Sequence, residues 1–192
     1  MTIRPIIFSG PMVRALLDGR KTQTRRITPC PLAKVEVGDL LYVREAFTLT
    51  QLDTAVYRAD ATDEFGDRWN SIEVGDPRKE VKWRPSIHMP RVKSRLTLRV
   101  NRVFFDPIQR ISEADAIAEG IEKNPCHGGN NWRDYAKQPS LGWVSPRHSF
   151  ASLWDSLHTK PGETWADDPL VVALEFEVIR ANVDTLKEMA DG

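Results

Sequence analysis

Apolar positions recur with a helical period in three short segments, which predicts helices over residues 9–18, 111–121 and 149–157. The first segment is followed by Gly19, a residue type that takes the left-handed backbone at a helix end without a Cβ penalty. The second begins with Ser112 and Asp115, which form an S-x-x-D capping pattern. The predicted helices are short for a chain of this length.

Other segments alternate apolar and polar residues, which is the period of a half-buried strand. In the clearest of them, Arg95 to Phe105, Leu98 is expected to face the core and Thr97 to face solvent. Further strands are predicted over residues 21–27, 40–45 and 170–179. Few helices, several strands and no regular βαβ alternation predict an α+β fold on a mostly antiparallel sheet, which could close into a barrel.

Length and composition indicate one globular domain, since the 192 residues are 41% hydrophobic and 28% charged. We expect this domain to span residues 1–180, with insertions near residues 46–84 and 124–147 and a polar C-terminal tail over 181–192. No apolar run approaches the roughly 20 residues that span a bilayer, and no secretion leader is recognisable. We therefore expect a cytoplasmic protein with no membrane partner.

Charge is balanced, 27 basic against 27 acidic residues, which argues against binding nucleic acid by bulk charge. Residues 82–102, however, hold seven Lys or Arg and no acid. With the cations of residues 20–26 they could form a basic face for phosphate, or they could be a strand with solvated side chains. An aromatic residue beside cations suits base stacking, although Trp is usually buried in a core. The candidate substrate contacts here are Trp83, Arg84, His88 and Arg91.

The histidines and cysteines do not have the spacing of a metal site. No H-E-x-x-H occurs, and Cys126 beside His127 is a weak pair in a loop. Cys30 lies too far along the chain from Cys126 to suggest a disulfide framework. Phosphate-binding glycine loops and the G-x-S-x-G elbow are also missing, so we expect neither a metal nor a cofactor.

One segment concentrates reactive side chains: residues 19–26 read GRKTQTRR, with four cations and two threonines in eight residues. A lysine just past a helix could merely complement the negative helix end, but that explains one cation. A desolvated lysine can also act as a base or stabilise an oxyanion or phosphate, and a threonine can be a nucleophile. In a regular strand Lys21 and Thr24 would point to opposite faces, so both face one pocket only if Lys21 lies on the turn after Gly19.

GRKTQTRR resembles the G-x-K-x-x-(E/T)-x-R signature of the ASCH domain family, through Gly19, Lys21, Thr24 and Arg26. The segments GDLLYVREAF, KWRPSIHMP, ISEADAIAEGI and SLWDSL, in this order, resemble the phage and prophage branch of that family. The resemblance implies a PUA-like fold, a small β-barrel with flanking helices, and an association with RNA. Arg25 falls outside the signature and is expected at the surface.

At the decisive positions the chain is similar to small ASCH amidohydrolases that deacetylate N(4)-acetylcytidine. That similarity implies that Lys21 and Thr24 are catalytic and, from the helix ISEADAIAEGI, that Glu119 is the functional glutamate. Glu45, in the strand VRE, is the competing carboxylate. Thr24 would attack the acetyl carbonyl or position a water, Lys21 would activate the hydroxyl or stabilise the oxyanion, and Glu119 would shuttle the proton.

Two other functions stay open at this point. Some ASCH proteins are metal-independent ribonucleases of single strands, and the same residues could stabilise phosphate while the 2′-hydroxyl of RNA attacks. A non-catalytic RNA-binding module would use the same basic groove. The expected partner is thus a nucleoside or single-stranded RNA, and the sequence does not determine the oligomeric state.

Overall fold

The predicted helices and strands are present in the computed structural model, with small shifts at their ends. It describes residues 1–60, 82–124, 131–136 and 142–190, with side chains of the last helix described to residue 186. The α-helices of this part are α1 (Gly10–Leu17), α2 (Glu113–Ala118), α3 (Pro146–Leu157) and α4 (Val183–Ala190). Its strands are β1 (Ile3–Ile7), β2 (Gln23–Ile27), β3 (Leu40–Arg44), β4 (Phe47–Leu49), β5 (Ala55–Tyr57), β6 (Thr97–Pro107) and β7 (Leu170–Ile179).

Five of the strands form a mixed sheet in the order β1-β3-β6-β7-β2, and β4 and β5 form a separate pair. β1 and β3 run parallel, whereas β2 and β7, like β3 and β6, run antiparallel. The α+β class is therefore confirmed as a mixed sheet with few helices. None of the described helices has the length and apolar character needed to cross a membrane.

The chain divides into two compact units. Unit 1 consists of Met1–Leu17, Asp39–Arg99 and Val178–Gly192, and unit 2 of Asp18–Gly38 and Val100–Glu177. In unit 1, α1 buries Val13 and Leu16, and Leu41 is fully buried in β3. The alternation in β6 places Leu98 in the core as predicted, because successive side chains of a strand point to opposite faces.

Unit 2 is built on a cluster of buried apolar residues that holds α2 and α3 against β7. Its members are Ile108, Ile111, Ala116, Ile121, Phe150, Trp154 and Val171. β2 pairs with β7 from Gln23 opposite Glu175 to Ile27 opposite Val171. Ser112 caps α2 as predicted, since its hydroxyl accepts a hydrogen bond from the Asp115 backbone N–H at 3.1 Å. The strand and helix that carry the GRKTQTRR and ISEADAIAEGI motifs thus share one unit.

One prediction about side-chain direction was wrong. Thr97 was expected to face solvent but is fully buried, and its hydroxyl donates to the Ala181 carbonyl at 2.9 Å, which satisfies the polar group. In β7, Val172 and Leu174 are buried, as the alternation predicts, and Val171 on the other face is buried as well. β7 lies between β6 and β2 in the sheet, and an interior strand can be covered on both faces.

The C-terminal residues 181–192 were expected to be a polar tail that frays. Instead, Val183–Ala190 form α4, with Val183 fully buried. Asn182 donates to the carbonyls of Arg91 and Ser94 at 2.9 Å and 2.7 Å, so this segment is tied to the rest of unit 1. The prediction of one domain over residues 1–180 stays a prediction.

Replacing Leu98 with alanine will destabilise the protein by about 2–5 kcal/mol, because the side chain is fully buried and its loss leaves a cavity. Urea unfolding monitored by circular dichroism measures this change. Asn101→Ala, on an exposed position of the same strand, is the control and should change the free energy of unfolding by less than about 0.5 kcal/mol. Equal effects of both substitutions would contradict the assigned core face.

Candidate active site

Lys21 lies between a turn and a strand rather than inside a regular strand. Gly19 has a φ of 72°, the left-handed conformation that reverses the chain after α1. Lys21 then forms an isolated antiparallel bridge with Glu119, and the Thr22 N–H donates to the Ala118 carbonyl at 2.8 Å. The backbone itself therefore brings the GRKTQTRR motif to the C-terminal end of α2.

The side chains of Lys21 and Glu119 meet in the interior of unit 2. Lys21 Nζ donates to Glu119 Oε2 at 2.9 Å and to the Glu119 carbonyl oxygen at 2.7 Å. The side chains are only 2% and 6% exposed, respectively. Two of the three residues that the ASCH resemblance implied as catalytic thus form a direct, buried ion pair.

Arg25 is a third member of this cluster, and its predicted surface position was wrong. It is 5% exposed, and its Nη1 donates to Glu119 Oε1 at 3.0 Å. Its Nη2 lies 3.5 Å from Asp115 Oδ2, and Asp115 also accepts from Gln23 Nε2 at 2.8 Å. Lys21, Gln23 and Arg25 are two residues apart along an extended chain, so their shared face could have been read from the period of two.

Thr24 occupies the alternate face of β2, as the strand geometry predicts. It is fully buried, and its Oγ1 accepts a hydrogen bond from Arg26 Nη1 at 2.7 Å. The charge of Arg26 lowers the pKa of Lys21, and the charge of Glu119 opposes the lowering of the pKa of Arg26 by burial. The described contact of the Thr24 hydroxyl is thus with the guanidinium of Arg26.

Burial and the neighbouring charges shift the pKa values of Lys21 and Glu119 in this cluster. Burial lowers the pKa of Lys21, the charges of Arg26 and Arg25 lower it further, and Glu119 only partly opposes this. Burial by itself would raise the pKa of Glu119, but the charges and hydrogen bonds of Lys21 and Arg25 outweigh it, so the pKa is lowered. The arrangement holds Glu119 as a carboxylate and makes the Lys21 ammonium easier to deprotonate.

Glu45, the competing carboxylate, lies in unit 1 with a different partner. Its two oxygens accept from Arg95 Nε and Nη2 at 2.9 Å and 3.1 Å, and Arg95 also binds both oxygens of Asp60. Burial raises the pKa of Glu45, and Arg95 opposes that shift. Glu45 thus belongs to an ion-pair network centred on Arg95, while Glu119 is the carboxylate in contact with Lys21.

The other predicted substrate contacts also lie in unit 1. Trp83 is half-buried and Arg84 is exposed. Arg84 pairs with Phe47 through backbone hydrogen bonds, and its guanidinium lies 5.9 Å from the centroid of the Phe47 ring. His88 is exposed at the end of a short 3₁₀ turn, and Arg91 forms an ion pair with Asp184. The part of the 124–147 insertion that holds Cys126 and His127 is outside the described residues. In the described part of the chain, no three His, Cys, Asp or Glu residues are grouped as metal ligands.

Glu119→Gln will make the protein less stable at neutral pH by about 3–5 kcal/mol, because it removes the carboxylate that two buried cations share. The folded state lowers the pKa of Glu119, so this stabilisation is present above the usual glutamate value of 4.5 and is lost as the pH falls through the folded value. The difference between the wild type and Glu119→Gln should therefore shrink on acidification.

Urea unfolding of both proteins over pH 7 to about pH 3 measures this difference. The exposed Glu36→Gln is the matched control and should change the free energy of unfolding by less than about 0.5 kcal/mol at pH 7. A difference between the wild type and Glu119→Gln that stays constant across this range would show that Glu119 is not held as a carboxylate.

Comparisons with known proteins add little to this geometry. No family model matches the chain, and no curated protein matches it. Among solved structures it is similar to the crystal structure of protein EF3133 from Enterococcus faecalis V583, described as a DUF984 protein, with 14% sequence identity and a TM-score of 0.43. The alignment covers 95% of this chain and 83% of that chain. A likeness at this level assigns neither a family nor a chemistry.

Proposed function

We propose that the protein is an ASCH-type hydrolase with a PUA-like fold that acts on a modified nucleoside or RNA, by amide hydrolysis of the N(4)-acetylcytidine type. The observation that carries the proposal is the buried contact of Lys21 Nζ with Glu119 Oε2 at 2.9 Å. Lys21 and Glu119, which correspond to the lysine and the glutamate of the acetylcytidine amidohydrolases, are 98 residues apart in the sequence, and their side chains are in contact. The mixed sheet with few helices is compatible with the fold.

The ionisation of the pair suits its proposed roles. Glu119 starts as a carboxylate, so it can first take a proton and then deliver it to the leaving amine. Lys21, with its lowered pKa, can either take the proton of the attacking hydroxyl or stabilise the negative charge that develops on the carbonyl oxygen. The reaction consumes one water, breaks the acetyl C–N bond and releases acetate and cytidine.

Thr24 lies on the face of β2 opposite Gln23 and Arg25, and its oxygen contacts a cation. Its oxygen accepts from the Arg26 guanidinium at 2.7 Å, which stabilises negative charge on that oxygen. Thr24 would attack the acetyl carbonyl, or hold the water that does so. Gly19 would contribute to the site by turning the chain after α1, and Arg26 would contribute its positive charge beside Thr24.

A metal-independent ribonuclease is the second candidate, and the grouping of cations favours it. Lys21, Arg25 and Arg26 bring three positive charges to one part of unit 2, which would suit a phosphodiester. In that reaction the 2′-hydroxyl of RNA would be the nucleophile, so DNA of the same sequence would not be cut.

Lys21→Met will reduce deacetylation of N(4)-acetylcytidine by at least about 100-fold, because methionine fills the space but can neither transfer a proton nor stabilise an oxyanion. Product formation is followed by chromatography in EDTA, with single-stranded RNA as a second substrate. Lys160→Met, the same substitution at an exposed lysine, should leave the rate unchanged. Circular dichroism establishes that each variant is folded.

The outcomes separate the candidate functions. Deacetylation that Lys21→Met abolishes supports the amidohydrolase, and RNA cleavage that it abolishes supports the ribonuclease. If both substrates survive and RNA binding falls steeply with salt, the protein is a binding module. A Lys21→Met variant as active as the wild type removes Lys21 from the reaction.

The pH profile of kcat/KM should show a limb with an apparent pKa below 10.5, the usual lysine value, because burial favours the neutral form of Lys21. A rate that rises through this limb identifies Lys21 as the base, and a rate that falls identifies it as the oxyanion stabiliser. A flat profile up to pH 10.5 would contradict both roles.

A further inference from the structure

A second concave site lies in unit 2, apart from the Lys21 cluster. It is a cavity of about 550 Å³ beside α3, and none of the cluster residues lines it. Its described walls include the rings of Tyr135, Trp143, His148 and Trp165 and the carboxylates of Asp134 and Asp155. A cavity of this size falls within the range of small-molecule sites.

Two of the aromatic walls are fixed by the core of the unit. Tyr135 and Trp165 pack against the buried cluster that contains Phe150 and Trp154. The Tyr135 hydroxyl accepts from the Glu122 backbone N–H at 2.9 Å, and the Trp165 backbone N–H donates to Asp155 Oδ1 at 2.7 Å. These rings therefore form a preorganised surface.

The opposite wall presents Trp143 to solvent, although its backbone is held. Trp143 exchanges two backbone hydrogen bonds with Trp132, at 2.7 Å and 2.8 Å, while its side chain remains 38% exposed. Gly142 before it has a φ of 82°, and a Cβ there would come within 2.6 Å of the Trp132 carbonyl oxygen. The Trp143 ring lies 5.4 Å from the ring of His148. A large exposed ring on a fixed backbone is the arrangement that a stacked ligand needs.

The charge of the walls selects among planar ligands. Among the described lining residues the charged ones are Asp134 and Asp155. The guanidinium of Arg147 lies 5.4 Å from the centroid of the Trp165 ring, so the surroundings of the cavity carry both signs of charge. Carboxylates accept hydrogen bonds from ring or exocyclic N–H groups. The ligand should therefore be aromatic and should carry N–H donors.

We propose that this cavity is a second binding site, for a nucleobase or nucleoside stacked on Trp143, and that it is separate from the site of chemistry. The rings provide stacking surfaces, and Asp134 and Asp155 accept from amino groups such as those of adenine and cytosine. Occupancy of this site does not depend on the reaction proposed for Lys21.

Calorimetric titration with adenosine and cytidine tests the proposal on the full chain. Trp143→Ala should weaken adenosine binding by roughly 5- to 150-fold, the loss of one stacking contact, whereas Trp143→Phe should largely retain it. Leu157→Ala, at an exposed α3 position that does not line the cavity, is the control and should bind as the wild type does.

Titration of Lys21→Met separates this site from the proposed active site. Adenosine binding retained in Lys21→Met and lost in Trp143→Ala supports the second site. Binding that is lost in Lys21→Met and kept in Trp143→Ala overturns it, as does the absence of binding of either nucleoside at millimolar concentration. Deacetylation by Trp143→Ala is a separate measurement, so this proposal can fail while the proposed function holds.

Discussion

The sharing of one buried carboxylate by two buried cations is the interaction on which the rest of unit 2 depends. Glu119 accepts from Lys21 and from Arg25, each through a different oxygen, and all three side chains are almost fully buried. Taking such charges out of water costs several kcal/mol per ion, and well-packed apolar residues would often be as stable. A cluster of this kind is poorly explained as a device for stability alone, which is why we assign it chemistry.

The local fold brings Lys21 and Glu119 into contact at the C-terminal end of α2. Glu119 is the C-terminal cap of the short helix α2, and Gly120 after it has a φ of 87°. Lys21 Nζ accordingly reaches both the carboxylate and the carbonyl of the same residue, which places a cation at the negative end of the helix. The core cluster packs α2 against α3 and β7, so apolar packing helps to position the ion pair.

The sequence predicted the elements well and the side-chain environments less well. The spacing of apolar residues, every second residue in a strand and every three or four residues in a helix, located α1, β6 and β7, because each has a clear apolar face or run. It missed the second buried face of β7 and the buried Thr97, since both depend on neighbours that are distant in sequence. The C-terminal helix was missed, although Val183, Leu186 and Met189 recur at a helical spacing, because the segment was treated as a polar tail.

For the site, the resemblance named Lys21, Thr24 and Glu119, and the structure joins the first and the third. The resemblance did not determine whether Glu119 or Glu45 is the functional carboxylate, because only the tertiary contacts reveal that Glu45 is paired with Arg95. Arg25 was assigned to the surface because a motif alignment gives no weight to residues outside the signature. Arg25 is two residues from Gln23 and four from Lys21 on an extended chain, and this spacing indicates that the three side chains share a face.

A double-mutant cycle in kcat/KM for N(4)-acetylcytidine, with Lys21→Met, Glu119→Gln and the pair combined, tests the central claim most directly. If Lys21 and Glu119 act as one catalytic unit, the double variant will be about as slow as the slower single variant, because the second substitution removes a function already lost. Single variants that retain wild-type activity while remaining folded, or effects on ΔG‡ that simply add, would contradict a joint catalytic role.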